Sequence, residues 1–278
     1  MVREPCIRSL FPRFCVLVMG LVVAATPFVW MFLCSFKTNA EIFSAPITFL
    51  PKNPTLRNYE DLLEGRQIPF PRQYFNSVIV SGLFTGVNVF VCSAAAFAFA
   101  KYKFPLKNLL FTLVIAFVMV PQQATLVPLF LLMHKLNWLD TIFSVALPGA
   151  FNAFGVFFLR QVMLSIPDEL IDAARIDGAG ELKIYFRIAL PLSGSGLVVL
   201  GVISFVNSWN EFLWARIALS STERLTATVG LASLVGMYRV EYGMLMAGAS
   251  LLIIPVIILF VIGRDLFVEG ILRGAVKG

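Results

Sequence analysis

The chain has 278 residues, of which 59 % are hydrophobic and only 14 % are charged, and its mean hydropathy is +0.86. This composition excludes an ordinary soluble domain and predicts a polytopic membrane protein. The net charge of +6 comes from basic residues scattered between apolar runs. Since no basic patch with an aromatic platform accompanies it, we expect no nucleic-acid partner.

Apolar runs long enough to cross a lipid bilayer recur along the chain. A crossing helix needs about 20 apolar residues at about 1.5 Å each. The first run, 14–36, is longer than the apolar core of a signal peptide and has no cleavage site after it, so we expect it to remain as a span. The six predicted spans cover residues 14–36, 73–100, 108–133, 141–159, 192–219 and 242–263. We therefore expect an all-α fold with a single transmembrane domain over residues 1–278.

Basic residues near the ends of the spans predict the orientation in the membrane. They concentrate before the first span and in the short loop after the second span, at Arg3, Arg8, Arg13, Lys101, Lys103 and Lys107. The short loop on the opposite side, 134–140, contains Lys135 as its only lysine or arginine. We therefore expect both termini to be cytoplasmic and the long segment 37–72 to be external. Its five prolines predict a loop with at most short helices.

Polar residues inside the second and third predicted spans are costly in lipid, so their positions are informative. In the second span they recur every three to four residues and share one helix face, at Ser77, Ser81, Thr85 and Asn88. In the third span Gln122 follows Pro121, which frees a carbonyl and predicts a kink. Two interpretations stay open: a wet pathway for a neutral, hydrogen-bonding solute, or hydrogen bonds between helices.

A polar stretch, the elbow (residues 166–191), interrupts the apolar sequence and reads IPDELIDAARIDGAGELKIYFRIALP. Its helical periodicity and central Gly-Ala-Gly predict two short amphipathic helices joined by a turn. Ser165 is a candidate N-cap, and Gly178 is placed to end the first helix in the left-handed conformation. The second helix is expected over 181–190, ending at Pro191. Five acidic residues against three basic ones favour a cytoplasmic protein partner over anionic lipid.

The fifth predicted span carries a polar stripe. Its members follow the spacing i, i+3, i+4, i+7 and so share one face: Ser204, Asn207, Ser208 and Glu211. The candidate residues of a solute path are Asn88, Gln122, Asn207, Ser208, Asn210 and Glu211. A proton relay would need several carboxylates or histidines at mid-membrane, which the predicted spans do not offer, and this disfavours an ion-coupled pump.

The sequence offers no motif for bond-breaking chemistry or for metal binding. It lacks HExxH, GxSxG and the GxxxxGK[ST] phosphate loop. Its single histidine, His134, has no second imidazole or thiol near it in the sequence. We therefore expect no catalytic residue and no metal ligand, and the energy for any active transport would come from another chain.

The elbow resembles the EAA loop of ATP-binding-cassette (ABC) importer permeases, whose pattern is roughly E-A-A-x-x-D-G-A followed by F, I and LPL. The matching residues are Asp172, Ala173, Ala174, Asp177, Gly178, Ala179, Phe186, Ile188, Leu190, Pro191 and Leu192. The leading acid is Asp172 instead of glutamate, and Ser193-Gly194-Ser195-Gly196 stands where the family often has a second proline. Further stretches, including SWNEFLWARIAL and YGMLMAGASLLIIPVIILF, extend the resemblance to the maltose-permease-like group of carbohydrate importers.

This resemblance implies a type I ABC importer permease with six transmembrane helices, moving a sugar, oligosaccharide or polyol-like solute across the bacterial inner membrane by alternating access. It implies four kinds of partner: two cytoplasmic ABC ATPase subunits, a second homologous permease, an extracytoplasmic solute-binding protein and the lipid bilayer. The chain itself would bind no cofactor, and ATP and magnesium would be bound by the ATPases. The elbow would be the coupling loop, acting through Glu169, Asp172, Ala173, Ala174, Asp177, Gly178, Ala179 and Phe186.

Two other classes of protein are weighed against this interpretation. A stand-alone secondary carrier for a neutral polar solute would need inverted repeats, broken helices and an ion site, none of which is clear in the sequence. An intramembrane enzyme would need a catalytic constellation, which the sequence lacks.

Overall fold

The computed structural model describes residues 7–236 and 241–275, with the side chains of 12–235 and 241–264. Within these residues the regular secondary structure is helical, which confirms the all-α prediction. The α-helices are α1 Ile7–Cys34, α2 Asn39–Ile42, α3 Arg57–Leu63, α4 Phe70–Lys101, α5 Lys107–Ala116, α6 Leu126–Lys135, α7 Ile142–Ala146, α8 Ala153–Leu164, α9 Asp168–Ile176, α10 Glu181–Ile184, α11 Leu190–Leu192, α12 Gly194–Trp209, α13 Leu213–Ala218, α14 Ala227–Ser233 and α15 Tyr242–Ala275. Arg3, used above for the orientation, lies outside the described residues.

Three described helices are long and apolar enough to cross a membrane by length and composition. They are Pro12–Cys34, Phe70–Lys101 and Tyr242–Arg264, which coincide with the predicted first, second and sixth spans. Two bent pairs raise the number to five if each pair is one span: Lys107–Met119 with Gln122–Lys135, bent by 96°, and Glu181–Leu192 with Gly194–Trp209, bent by 80°. The number of six spans stays a prediction.

The predicted fourth span, 141–159, is interrupted by a break between two helices, and its crossing of the membrane stays a prediction. It consists of the five-residue helix α7 and the twelve-residue helix α8. Pro148 between them lacks a backbone donor, and Gly149 has a φ of +77° that a residue with a side chain rarely adopts. Asn152 then caps α8, because its Oδ1 accepts a hydrogen bond from the Gly155 N–H at 2.6 Å.

The described residues fall into two compact units, one within 1–71 and 231–254 and the other within 72–230 and 255–278. In the second unit one buried apolar core joins the end of α4 and α8 to the elbow; it includes Phe97, Leu159, Met163, Ile171 and Ile184. Another core in this unit includes Val80, Val145 and Trp214. That residues 1–278 form a single domain stays a prediction.

The predicted loop segment 37–72 contains the short helices α2 and α3, as the sequence predicts, and its last residues, from Phe70, are the start of α4. Lys37 is 1 % exposed, and its Nζ lies 4.8 Å from the centroid of the Trp30 ring. Asn58 donates hydrogen bonds to the carbonyls of Ser35 at 2.7 Å and Lys37 at 2.8 Å. These bonds tie the segment to the residues that follow α1.

Candidate functional site

The turn of the elbow has the backbone that the sequence predicts. Gly178 follows α9 with a φ of +77°. Its N–H donates to the Arg175 carbonyl at 3.0 Å, and the Ala179 N–H donates to the Ala174 carbonyl at 2.9 Å. This pair of bonds is the Schellman motif, which ends a helix on a left-handed residue. A Cβ on Gly178 would meet no heavy atom within 4 Å, so the backbone conformation, and not crowding, requires glycine here.

The start of the elbow differs from the prediction, because Ser165 does not cap α9. The N-cap position is Pro167, which makes no side-chain capping bond. The Ser165 hydroxyl donates to the Val162 carbonyl at 2.7 Å, in the last turn of α8. Asp168 and Glu169 occupy the first turn of α9, where the helix dipole favours negative charge.

Lys101, the last residue of α4, contacts the start of the elbow directly. Its side chain is 3 % exposed. The Nζ donates to the Ile166 carbonyl and to Asp168 Oδ1, both at 2.6 Å. The hydrogen bond and the charge of Lys101 lower the pKa of Asp168. A buried ammonium group needs such oxygen partners, so this contact fixes where the elbow begins.

A second set of polar contacts joins the next residue, Tyr102, to both helices of the elbow. The Tyr102 hydroxyl donates to Glu181 Oε2 at 2.6 Å. Glu181 Oε1 accepts from Arg175 Nε at 3.0 Å, and Arg175 Nη1 donates to Asp172 Oδ1 at 3.1 Å. The bonds from Arg175 and Tyr102 lower the pKa of Glu181. Burial, followed by the bond to Glu181, raises the pKa of Tyr102 to about 12, so this phenol keeps its donor proton at neutral pH.

The second helix of the elbow runs further than the predicted 181–190. It continues from α10 through a π-helical stretch, Tyr185–Ala189, into α11, which ends at Leu192. Pro191 has no N–H to donate to the carbonyl four residues earlier, which interrupts the regular α pattern here. The chain then bends by 80° and continues as α12. Ser193, between the two helices, is fully buried.

The outer surface of the elbow carries most of the residues predicted for coupling. Ala174 and Ala179 are half-buried against the core, and the other predicted residues are exposed: Glu169, Asp172, Ala173, Asp177, Gly178 and Phe186. Two large apolar side chains that the sequence prediction omitted lie among them, Ile176 at 87 % and Leu182 at 75 % exposed. Ile176 comes directly before the Asp177-Gly178 turn and Leu182 shortly after it, and this position near an exposed turn was the sequence signal for both. Together these residues offer a partner an apolar surface edged by carboxylates.

The same unit contains a cavity of about 660 Å³, the polar cavity. It is lined by residues from five parts of the chain: Phe84, Gln122, Thr125, Leu129, Val145, Pro148, Gly149, Phe151, Asn152, Phe154, Leu200, Ile203, Ser204, Asn207, Ser208, Glu211 and Trp214. The four members of the predicted stripe on the fifth span all line it, as does Gln122. The four residues therefore lie on one face, as their spacing predicts.

Two predicted path residues do not line the polar cavity. Asn88 is fully buried: its Nδ2 donates to the Ala150 carbonyl at 2.6 Å, and its Oδ1 accepts from Ser204 Oγ at 2.8 Å. Asn210 directly follows α12, and its side chain donates to the Val206 carbonyl at 2.9 Å. For Asn88 the geometry fits the interpretation in which polar residues join helices.

Glu211 lines the polar cavity, but its carboxylate is engaged. The residues after α12 do not continue the helix, and α13 starts at Leu213. Oε1 of Glu211 accepts a hydrogen bond from the Trp214 N–H at 2.9 Å, in the first turn of α13. This satisfies a donor that no helical carbonyl can reach.

Sequence reasoning missed the contribution of the interrupted fourth span to the cavity wall. Phe151, Asn152 and Phe154 all line the polar cavity, and the two phenylalanines are each 50 % exposed. The signal was the Pro148-Gly149 pair, which marks a break in an otherwise apolar run. The run is long enough to pass the length test for a span in spite of this break.

Apolar helices of membrane-crossing length, together with a polar cavity, are the features expected of a membrane transport subunit. The family model described as "Binding-protein-dependent transport system inner membrane component" matches residues 88–273. The chain belongs to this family.

Relatives of known name share nearly the whole length of the chain. The arabinooligosaccharides transport system permease protein AraQ of Bacillus subtilis (strain 168) is 37 % identical over 272 residues, covering 97 % of this chain and 91 % of AraQ. The lactose transport system permease protein LacG of Rhizobium radiobacter is 32 % identical over 265 residues, covering 95 % of each chain. The solved structure of a bacterial ABC transporter involved in the import of the acidic polysaccharide alginate has a TM-score of 0.83 at 23 % identity, covering 95 % of this chain and 99 % of that one. The last likeness shows the shared fold.

Family membership confirms the resemblance found in the elbow. The chain is a multi-pass inner-membrane permease subunit of an ABC importer, which is a transport component and not an enzyme. The family's mode of action implies an ATPase and a solute-binding protein as partners. The alternative of a stand-alone secondary carrier is not supported.

Proposed function

We propose that this permease carries a neutral, hydroxyl-rich solute, namely a sugar, an oligosaccharide or a polyol, across the inner membrane by alternating access. The observation that supports this most directly is the polar cavity. Its volume of about 660 Å³ lies in the range of small-molecule sites, about 300–1,000 Å³. Amides of Gln122 and Asn207, the hydroxyl of Ser208 and aromatic rings line it. The names of AraQ and LacG, which specify carbohydrates, support the same class.

The charge of the cavity wall favours a neutral solute over an anionic one. Among the described residues that line it, Glu211 is the only ionisable one, and no lysine or arginine is present. An anionic solute would therefore meet a like charge on this chain without a cationic partner from it. Asn207 is exposed, and no hydrogen bond of its side chain occurs among the described residues, so its amide is free for a solute hydroxyl.

The elbow, in this proposal, receives one of two cytoplasmic ATPase subunits, and a second homologous permease presents its own elbow to the other. The partner ATPases bind ATP and magnesium, and this chain binds no cofactor. Asp172 to Ala179, with the apolar Ile176 and Leu182, form the contact. Both termini lie on the cytoplasmic side with the elbow, and an extracytoplasmic binding protein delivers the solute.

The coupling role is tested on the complete complex reconstituted in proteoliposomes, with the solute-binding protein added. Exposed Ala173 is replaced by Trp to obstruct the elbow's surface without filling the core. We expect solute-stimulated ATP hydrolysis to fall to the basal rate, while co-purification of the two permeases is retained. Stimulation at the wild-type level would overturn the coupling role.

The solute class is tested by uptake of neutral sugars, polyols and uronic-acid oligosaccharides in the same proteoliposomes. We expect uptake of at least one neutral solute and no uptake of acidic oligosaccharides. Uptake restricted to acidic solutes would contradict the neutral class while leaving the coupling role standing.

A further inference from the structure

The cytoplasmic end of α4 is joined to the elbow by three separate sets of hydrogen bonds. They are Lys101 Nζ to the Ile166 carbonyl and Asp168 Oδ1, the Tyr102 hydroxyl to Glu181 Oε2, and a bond of 2.7 Å between the hydroxyls of Ser93 and Tyr185. The Lys101 and Ser93 side chains are almost completely buried. These bonds do not depend on the chain connection between the elbow and α12.

The three sets of contacts fall on different parts of the elbow and together restrain it as one rigid unit. Lys101 contacts the start of its first helix, Tyr102 contacts the start of its second helix, and Ser93 contacts the π-helical stretch. The ring of Phe97 fills the space between, with centroid distances of 5.4 Å to Tyr102 and 5.5 Å to Tyr185. The elbow cannot rotate or slide against α4 without breaking these bonds, and loss of the buried Ser93–Tyr185 bond is the most costly.

The same helix is bonded to the wall of the polar cavity. Asn88 donates to the Ala150 carbonyl, in the break of the fourth span, and accepts from Ser204, which lines the cavity. Asn88 stands thirteen positions before Lys101, which is about 20 Å along a helix. One continuous helix, α4, therefore has hydrogen bonds to the elbow at one end and to the cavity wall further along.

The covalent route from the elbow into α12 is built differently. It passes through the 80° bend at Ser193, and Gly194 and Gly196 follow directly. A Cβ on Gly194 would meet no heavy atom within 4 Å, whereas one on Gly196 would lie 2.9 Å from the Val162 side chain of α8. The covalent route therefore turns through a sharp bend packed against α8 and does not lie along one continuous helix.

We propose that α4 is a second route, besides the covalent one, by which movement of the elbow reaches the polar cavity, and that Lys101 and Tyr102 are the positioning residues of this route. This inference rests on the proposed coupling function of the elbow. Displacement of the elbow by the ATPase displaces the end of α4 with it, and Asn88 carries the displacement to Ala150 and Ser204. Neither positioning residue contacts the solute or ATP.

The test uses the complete complex in proteoliposomes and measures the number of solute molecules transported per ATP hydrolysed. Lys101→Met and Tyr102→Phe are the test variants, with Lys103→Met as the matched control, because Lys103 is exposed in the same loop. We expect this ratio to fall about fivefold or more in both test variants and to stay at the wild-type value in the control. An unchanged ratio in both test variants would overturn the inference.

A second readout distinguishes loss of transmission from loss of structure. A cysteine at Thr125, which lines the polar cavity, is labelled by a membrane-impermeant thiol reagent with and without a non-hydrolysable ATP analogue, in a background without the native cysteines. We expect the nucleotide-dependent change in labelling rate to be present in the parent and absent with Tyr102→Phe. A nucleotide-dependent change of wild-type size in that variant would contradict the proposal.

Failure of this inference differs from failure of the proposed function. Cross-linking of a cysteine at Ile176, which is 87 % exposed, to the ATPase reports docking alone. Normal cross-linking with an unchanged transport ratio in the α4 variants refutes the α4 route and leaves the coupling function intact. Absence of cross-linking in the otherwise wild-type complex refutes the coupling function itself. If Lys101→Met does not assemble, Tyr102→Phe and Ser93→Ala, which each remove one oxygen atom, decide the question.

Discussion

The elbow and the polar cavity belong to the same compact unit but are assembled in opposite ways. The residues that shape the elbow follow one another along residues 166–191, and its turn is fixed by two backbone hydrogen bonds around Gly178. The polar cavity takes its wall from five parts of the chain, from Phe84 to Trp214. Its shape depends on breaks in helices, such as the one at Gly149.

This difference has a consequence for how each region responds to substitution. In the elbow, the outer side chains are exposed and the backbone conformation is the critical quantity. Around the cavity, buried polar groups such as Asn88 hold the wall in place, whereas exposed groups such as Asn207 face the space inside. Substitution of the buried polar groups should therefore lower stability, whereas substitution of the exposed groups should change transport.

The largest effect is expected for Gly178→Val, which tests the backbone of the elbow. The φ of +77° at Gly178 costs a β-branched residue about 1–2 kcal/mol or more, so the turn should rearrange and coupling should be lost. We expect solute-stimulated ATP hydrolysis in the assembled complex to be abolished. Gly180→Ala is the matched control, because Gly180 has a φ of −69° and open space at its Cβ. Equal activity of the two variants would contradict the backbone argument.

The sequence predicts the elbow well because its determinants are local. The helix periodicity, the Gly178 turn and the acidic surface can each be read from neighbouring residues. Ser165 was the exception: the bond that fixes the start of α9 comes from Lys101, a contact distant in sequence. No local pattern predicts such a partner.

The cavity was predictable only in part, for the same physical reason. The spacing of Ser204, Asn207, Ser208 and Glu211 correctly predicts one shared face. It does not show which residues of other helices face that stripe, so Asn88 was assigned to the path, whereas it lies behind the wall. Hydropathy counts a run of apolar residues and passes over a break such as Pro148-Gly149.

The next largest effect is expected for Asn88→Leu, which tests the polar bonds behind the cavity wall. The substitution leaves the buried Ala150 carbonyl without its amide partner and removes the acceptor of Ser204. Leaving such groups unpaired costs about 1–3 kcal/mol, so the Tm of the purified complex should fall by several degrees. Asp172→Asn, at an exposed side chain of the elbow, should leave Tm nearly unchanged. A larger loss in the elbow variant would reverse the comparison.

A smaller effect is expected for Asn207→Leu, which tests the exposed side of the cavity. Asn207 lines the cavity, so loss of one neutral hydrogen bond to the solute should raise the KM for uptake about threefold to tenfold, with Tm unchanged. Asn210→Leu makes the same change at a residue that does not line the cavity and should leave KM unaltered. If Asn210→Leu raised KM and Asn207→Leu did not, the solute path would have to be placed elsewhere.

The smallest effect is expected for Glu181→Gln, and it appears as a dependence on pH. The bonds from Arg175 and Tyr102 lower the pKa of Glu181 in the folded chain below its ordinary value of 4.5. A lowered pKa means that the ionised carboxylate stabilises the fold above about pH 4.5, and that this stabilisation is lost as the pH falls through the folded-state pKa. Since Gln stays neutral, the Tm of the wild-type complex should exceed that of Glu181→Gln at pH 7, and the difference should shrink towards pH 4.

The Glu181 carboxylate is 48 % exposed, so solvent screening limits its contribution to less than about 1 kcal/mol. Glu169→Gln, at an exposed residue of the same segment, should show little difference at either pH, and a gap for Glu181→Gln that stays constant with pH would refute the electrostatic origin of the bond.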